Sequence, residues 1–213
     1  MDHVTGFRCT ICGRIYSPSE IEYVCPRRGR HDIVDVRYDY DAIRDALGPE
    51  SEEPGLPGHL RVETSMWRYR PLLPVEPDAP LPPLRVGWTP LYAAPRLGDR
   101  LGLSHVWVKD DGQNPTASLK DRASALAVVK ARTAGAEVIT TASTGNAAAA
   151  LAGLAASVNM PAVIFVPKDA PKAKIAQHLV YGARVILVDG TYDEAFDLTL
   201  EAAEVFGWYN RNT

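Results

Sequence analysis

Two short segments hold residues whose types and spacing could do covalent chemistry. The first is "NPTASLKDRA", residues 114–123, a polar loop that runs straight into an apolar helix. It sets Lys120 in the first turn of that helix, behind a good N-cap in Ser118. A cation there is opposed by the helix dipole, by roughly 0.3–1 kcal/mol when exposed. If water is excluded as well, a neutral amine gains on the ammonium, and such an amine can attack a carbonyl carbon. The competing reading is a solvated Lys120 balanced by its neighbour Asp121. The second segment is "TTASTGNAAAA", residues 140–150. Ser143-Thr144-Gly145-Asn146 turns a strand into an alanine-rich helix, and its small residues leave backbone N–H groups free to face an anion. An ordinary turn capped by Ser or Asn reads equally from these residues alone.

A third group belongs to different chemistry. Cys9-Thr10-Ile11-Cys12-Gly13 has the form of a metal knuckle, two thiols two residues apart with glycine easing the turn. Cys25-Pro26 would begin a second knuckle, but Arg27 and Arg28 stand where a fourth cysteine is expected. His31 could complete four ligands only at an unusual spacing. The reading favoured here is a degenerate ribbon held by its own strands, because losing one thiolate weakens a zinc site. Zinc on Cys9, Cys12 and Cys25 is the alternative.

The elements that must position these residues follow from periodicity. From residue 104 onward, short β-branched runs alternate with amphipathic stretches. "HVWVKD", "AEVITTA", "PAVIFVP" and "ARVILVD" read as strands. Helices are expected over 118–135, 145–158, 171–182 and 191–207, three of them closed by Gly135, Gly182 and Gly207. This spacing predicts βαβ units, an α/β fold whose parallel sheet carries helices on both faces. Ligands of such a sheet bind outside the carboxyl ends of its strands, at the loops 109–118, 141–146, 167–171 and 189–192. Residues 1–40 read as a small cysteine-bearing module with β-like pieces at Ile15-Tyr16 and "DIVDVRYDY". Residues 41–95, dense in proline, read as an extended strap anchored by Trp67, Tyr69 and Trp88 that leads into the α/β domain of 96–213. His3, His59, His105 and His178 are scattered, and each reads as a surface or packing residue.

Composition bounds the function. The chain has 213 residues, a net charge of −3 and three cysteines. The acidic balance gives no electrostatic reason for nucleic acid or an anionic membrane as partner. No apolar run is long enough to span a bilayer, and the first ten residues lack the features of a secretory leader. A cytoplasmic location is expected, and the low cysteine count fits a reducing compartment.

"NPTASLKDRA", "ASTGNAAAALAGLAA" and "GWTPLYAAPRLGDRLGLSHVWVKDD" together resemble the threonine synthase branch of the fold type II pyridoxal-phosphate enzymes. The resemblance covers most of residues 85–213, in order, and extends through "VPKDAPKAKIAQHLVYGARVILVDGTYDEA" and "YNRNT". It implies that Lys120 carries pyridoxal phosphate as a Schiff base and later shuttles protons. It implies that Asn146 binds the cofactor's phenolic oxygen, and that Ser143, Thr144, Gly145 and Asn146 hold the carboxylate of a small amino-acid substrate. Asp121 and Arg122 are expected to brace the helix start, and Thr89-Pro90-Leu91 to shape a strand. The cysteine module is similar to a zinc-ribbon leader found in some members. The implied reaction converts O-phosphohomoserine and water to threonine and phosphate, in a homodimer or with a complementing C-terminal chain. Three positions depart from the family pattern. Ala117 replaces glycine and Leu119 phenylalanine, both expected to be tolerated. Ala147 replaces a threonine whose hydroxyl steers the reaction, which brings β-replacement (cysteine or cysteate synthesis) and serine or threonine dehydration into view. A remnant or partner subunit without catalysis is the reading from another class. The family's glycine-rich phosphate loop has no counterpart before residue 213, so the chain is expected to be the N-terminal part of a longer enzyme, inactive alone.

Overall fold

The computed structural model describes residues 1, 3–21, 23–27, 32–47 and 63–212, leaving aside the side chains of 46 and 47. Arg28, His31, His59 and the stretch 48–58 lie outside the described residues. The chain divides into two compact units, Met1–Ala79 and Pro80–Thr213.

The first unit holds a three-stranded antiparallel sheet of β1 (Val4–Cys9), β2 (Ile15–Tyr16) and β3 (Val34–Tyr38), in the order β2-β1-β3. Helix α1 (Tyr40–Leu47) follows, and Asp39 caps it by accepting the N–H groups of Asp41 and Ala42. The segment read as an extended strap differs from that reading. Met66–Leu72 forms a 3₁₀ turn capped by the Ser65 hydroxyl, and it belongs to the first unit. The His3 ring meets the Leu73 carbonyl at 2.8 Å, and Arg70 donates to the carbonyls of Glu76 and Ala79. These bonds explain why the units divide at 79/80 and not at either end of the proline-rich stretch. Of its expected anchors, Trp67 is 7% exposed, whereas Tyr69 and Trp88 are 41% and 48% exposed.

The second unit carries the βαβ pattern. Its main sheet is parallel, in the order β8-β7-β6-β9, from β6 (Ile139–Ala142), β7 (Ala162–Pro167), β8 (Arg184–Val188) and β9 (Tyr209–Asn210). Every residue of β7 is buried, as a strand covered on both faces must be. Val163 and Phe165 pack with Ala142 against Ala195 and Ala202 of α6 (Tyr192–Phe206). Alternation then turns Ile164 and Val166 to the opposite face, where α4 (Asn146–Ala156) lies against the sheet. Helix α3 (Lys120–Thr133) packs on α4, and α5 (Lys172–Val180) contacts both α4 and β8. A capping box of Thr191 and Glu194 opens α6, and Gly207 closes it in the left-handed conformation at φ 68°.

One strand departs from the expected topology. β5 (Trp107–Lys109) does not join the parallel sheet but pairs antiparallel with β4 (Leu91–Ala93) as a separate ribbon. Between them runs a short helix, α2 (Pro95–Leu101), with proline in its first turn and Gly102 at its left-handed end. A hollow of about 400 Å³ lined by Ala162, Tyr181 and Arg184 opens at the amino ends of β7 and β8, away from the loops that carry chemistry. No helix among the described residues is long and apolar enough to cross a membrane.

Candidate active site

The loop before Lys120 is fixed by hydrogen bonds between residues far apart in sequence. Asn114 is buried; its side chain accepts the Gly87 N–H at 2.9 Å and donates to the Asp111 carbonyl at 3.0 Å. Its own carbonyl accepts the Ala117 N–H at 2.8 Å, closing a turn. Ala117 leaves that turn with φ at 60°, the left-handed region. The family's glycine at this point therefore has a backbone reason, and the alanine carries a cost of roughly 1–2 kcal/mol. Ala117→Gly is expected to raise stability by about 0.5–1 kcal/mol after the entropy of the freer glycine is subtracted. Urea unfolding checks it, and a loss of stability would count against the strained turn.

Ser118 then accepts the Lys120 N–H on its hydroxyl at 3.0 Å, while its carbonyl accepts the Asp121 N–H. The Asp121 carboxylate is fully buried and accepts both the backbone N–H and the hydroxyl of Thr116. The loop is thus stitched to the first turn of α3, and Lys120 emerges from that turn exposed, with no hydrogen bond or ion pair from its side chain to the described residues. The described residues do not supply the water exclusion that a neutral lysine needs.

The second expected segment lies at the carboxyl end of β6. Gly145 donates its N–H to the Ser143 hydroxyl at 3.2 Å, and Asn146 opens α4 with its side-chain oxygen accepting Lys174 at 3.1 Å. Ser143, Thr144 and Gly145 are half-buried and Asn146 exposed. The lysine loop meets the helix that the second segment begins. Thr116 presses so closely on Gly153 of α4 that a Cβ at Gly153 would lie 2.7 Å from the Thr116 methyl. That close approach seats the lysine loop on the helix that Asn146 begins. Lys120 and Asn146 make no direct bond.

Four contributors were missed in the sequence. Asn212 accepts the Ala142 N–H at 2.7 Å and the Thr141 hydroxyl at 2.9 Å, so the residues after β9 brace the start of the Ser143 loop. Tyr192 donates to the Ala142 carbonyl beside it. His178 is fully buried near the Gly145 backbone, where loss of water pushes its imidazole below the usual range. Burial likewise lowers Arg211, whose N–H bonds the Thr140 carbonyl. None of these pairings has a local signal, because each spans 30 residues or more. Asp111 and Arg122 form a two-point ion pair, with Nε to Oδ2 at 2.9 Å and an Nη to Oδ1 at 2.7 Å, which the Thr89 hydroxyl joins at 2.7 Å. This pair and the Thr89 bond hold the Asp111 carboxyl down at about 2.

The family of pyridoxal-phosphate dependent enzymes matches residues 83–213, a span that contains both segments. The chain belongs to this family. Its relatives include the threonine synthases of Methanocaldococcus jannaschii, 36% identical over 92% of this chain and 46% of theirs, and of Methanosarcina acetivorans, 37% identical over 90% and 44%. The chain therefore spans just under half the length of these relatives. Among solved structures, a threonine deaminase from Solanum lycopersicum is 30% identical over 57% of this chain and 34% of its own, with a TM-score of 0.52.

In the first unit, the sulfurs of Cys9, Cys12 and Cys25 gather within 4.8 Å of one another. Cys9 and Cys25 are buried and Cys12 is exposed. The Tyr16 hydroxyl lies 3.1 Å from the Cys25 sulfur; that bond brings Cys25 down to about 7 and drives Tyr16 up to about 12.

Proposed function

We propose that this chain supplies the lysine and the substrate loop of a threonine synthase, which turns O-phosphohomoserine and water into threonine and phosphate. The observation that carries this reading is the exposed, unengaged Lys120 amine on a loop docked against α4, the helix that the Ser143–Asn146 loop begins. Those residues fit pyridoxal phosphate in two respects: an amine free to bond its aldehyde carbon, and an amide oxygen or nitrogen at Asn146 to meet its ring oxygen. When bound, the cofactor draws electrons from the substrate's carbons, so that protons there can be removed. Lys120 would hold the cofactor through its amine and would move protons at Nζ. Ser143, Thr144 and the loop amides orient the substrate carboxylate at the start of α4, where the helix dipole favours an anion. The Lys174 ammonium occupies only the Asn146 side-chain oxygen, which leaves the amide nitrogen to donate to the cofactor's ring oxygen.

A second reading, dehydration of serine or threonine, has its own support in Ala147 and in the likeness to a threonine deaminase. Product analysis with phosphohomoserine, phosphoserine and threonine separates the two. Phosphate and threonine from phosphohomoserine support the first, and a keto acid from threonine supports the second. Lysine capture is tested without turnover. Borohydride reduction after adding pyridoxal phosphate is expected to leave the cofactor on the peptide containing Lys120, and Lys120→Ala to lose at least 95% of that label (roughly a twentyfold change). Equal labelling of the variant, or label spread over surface lysines, would refute the assignment.

A further inference from the structure

The pyridoxal-phosphate chemistry leaves the thiol cluster of the first unit without a role. Two arms converge there. The knuckle of residues 9–14 is held by Cys9 N–H to the Arg14 carbonyl at 2.9 Å and Gly13 N–H to the Cys9 carbonyl at 3.1 Å, with Gly13 in the left-handed conformation at φ 72°. The other arm presents Cys25, fixed by its N–H to the Asp32 carbonyl at 2.9 Å and by the Val24–Ile33 bridge.

Tetrahedral zinc with Zn–S bonds near 2.3 Å sets its thiolate sulfurs about 3.8 Å apart. The Cys12 and Cys25 sulfurs are 3.8 Å apart, and the remaining pairs lie within 4.8 Å, so about 1 Å of movement at most completes the geometry. The cluster also carries donors aimed at sulfur. The Cys12 N–H points at the Cys9 sulfur at 3.4 Å, and the Tyr16 hydroxyl lies 3.1 Å from that of Cys25. Such donors offset the charge of metal-bound thiolates and orient them. A purely packing role accounts for buried Cys9, Tyr16 and Cys25. It does not account for Cys12, which is exposed yet turned toward the other two sulfurs.

We propose that Cys9, Cys12 and Cys25 bind one zinc ion through three thiolates, the ligands that the described residues supply. Each cysteine releases one proton to solvent on binding, and the divalent ion with three thiolates carries a net charge of −1. Tyr16 keeps its proton and donates to Cys25. The site is a zinc centre in spite of the missing fourth cysteine.

The test uses the full 213-residue chain, purified without chelator and without a histidine tag. Elemental analysis is expected to give about one zinc per chain. Cobalt substitution is expected to show thiolate-to-metal charge-transfer bands that fall by about one third in Cys12→Ala. That variant removes an exposed side chain, so its folding is checked by circular dichroism. Its zinc affinity against a chelating indicator is expected to drop at least 100-fold. A folded wild-type chain that binds neither zinc nor cobalt would overturn the proposal. So would one zinc per two chains, which places the metal between copies, or a Cys12–Cys25 disulfide persisting in reducing buffer.

Discussion

Asp121→Ala is expected to lower the unfolding free energy by about 3 kcal/mol, the sum of a lost charge-assisted pair and a stranded buried donor. The carboxylate is fully buried and serves the N–H and the hydroxyl of Thr116, itself nearly buried. Removing it leaves the Thr116 N–H without an acceptor and opens a space beneath the first turn of α3. The damage spreads to α4, because Thr116 is pressed against Gly153 and has no slack in that direction. Asp121→Asn keeps the volume and one acceptor oxygen, so its loss is expected to be about half as large. Urea unfolding of the three proteins checks this, with midpoints falling in the order wild type, Asn, Ala and slopes unchanged. An alanine variant within 1 kcal/mol of wild type would show that Asp121 is not the stitch between loop and helix. The same variant should loosen Lys120, whose N–H bonds Ser118 in that first turn, so cofactor labelling at Lys120 should weaken with it.

What could be read from the sequence depended on how far apart the cooperating residues lie. The alternation of β6 to α6 was legible because each element announces itself locally. Val163 to Val166 run apolar without a break, and Gly135, Gly182 and Gly207 end helices in left-handed backbone. The two segments proposed to carry the chemistry could be singled out for the same reason, since Lys120 and Ser143–Asn146 are each compact in sequence. The ribbon of β4 and β5 was not legible. "HVWVKD" has strand composition, but nothing local states that its partner is Leu91–Ala93 and not the parallel sheet. Helix α2 did carry its signals, proline at the start and Gly102 at the end, and they were masked by the prolines before it. Ala117 is the instructive position. Its residue type reads as a harmless apolar exchange, whereas the constraint is the sign of φ. Asn212 and His178 act across 70 and 33 residues on the Ser143 loop, and only folding brings them there.

Asp111→Asn is expected to cost about 2 kcal/mol near neutral pH and nearly nothing near pH 2. Asp111 bonds Arg122 at two points and takes the Thr89 hydroxyl, while Lys109 reaches the Thr89 carbonyl. These partners tie the approach to β4 and the 3₁₀ turn at Asp111–Gln113 to the first turn of α3, two residues after Lys120. The Asp111 carboxyl falls to about 2 from its ordinary 3.8, chiefly through the Arg122 bond. The side chains of the pair are 22% and 33% exposed, so solvent screening trims the corresponding energy to roughly 2 kcal/mol. The sign follows from linkage. A carboxyl depressed in the folded state contributes its full stability above the unfolded value, near pH 4, and loses it as pH falls through about 2. The measurement is the difference between wild type and Asp111→Asn, taken by urea unfolding from pH 6 down to pH 2. Glu20 and Glu194 are also depressed, but they titrate in both proteins and cancel from that difference. The gap should close over the acid range, and in an Arg122→Ala background most of its pH dependence should go, because the guanidinium is the largest of the groups that hold the carboxyl down. A gap that stays constant from pH 6 to pH 2 would mean that Asp111 acts through its hydrogen bonds alone and that its charge does not anchor the lysine helix.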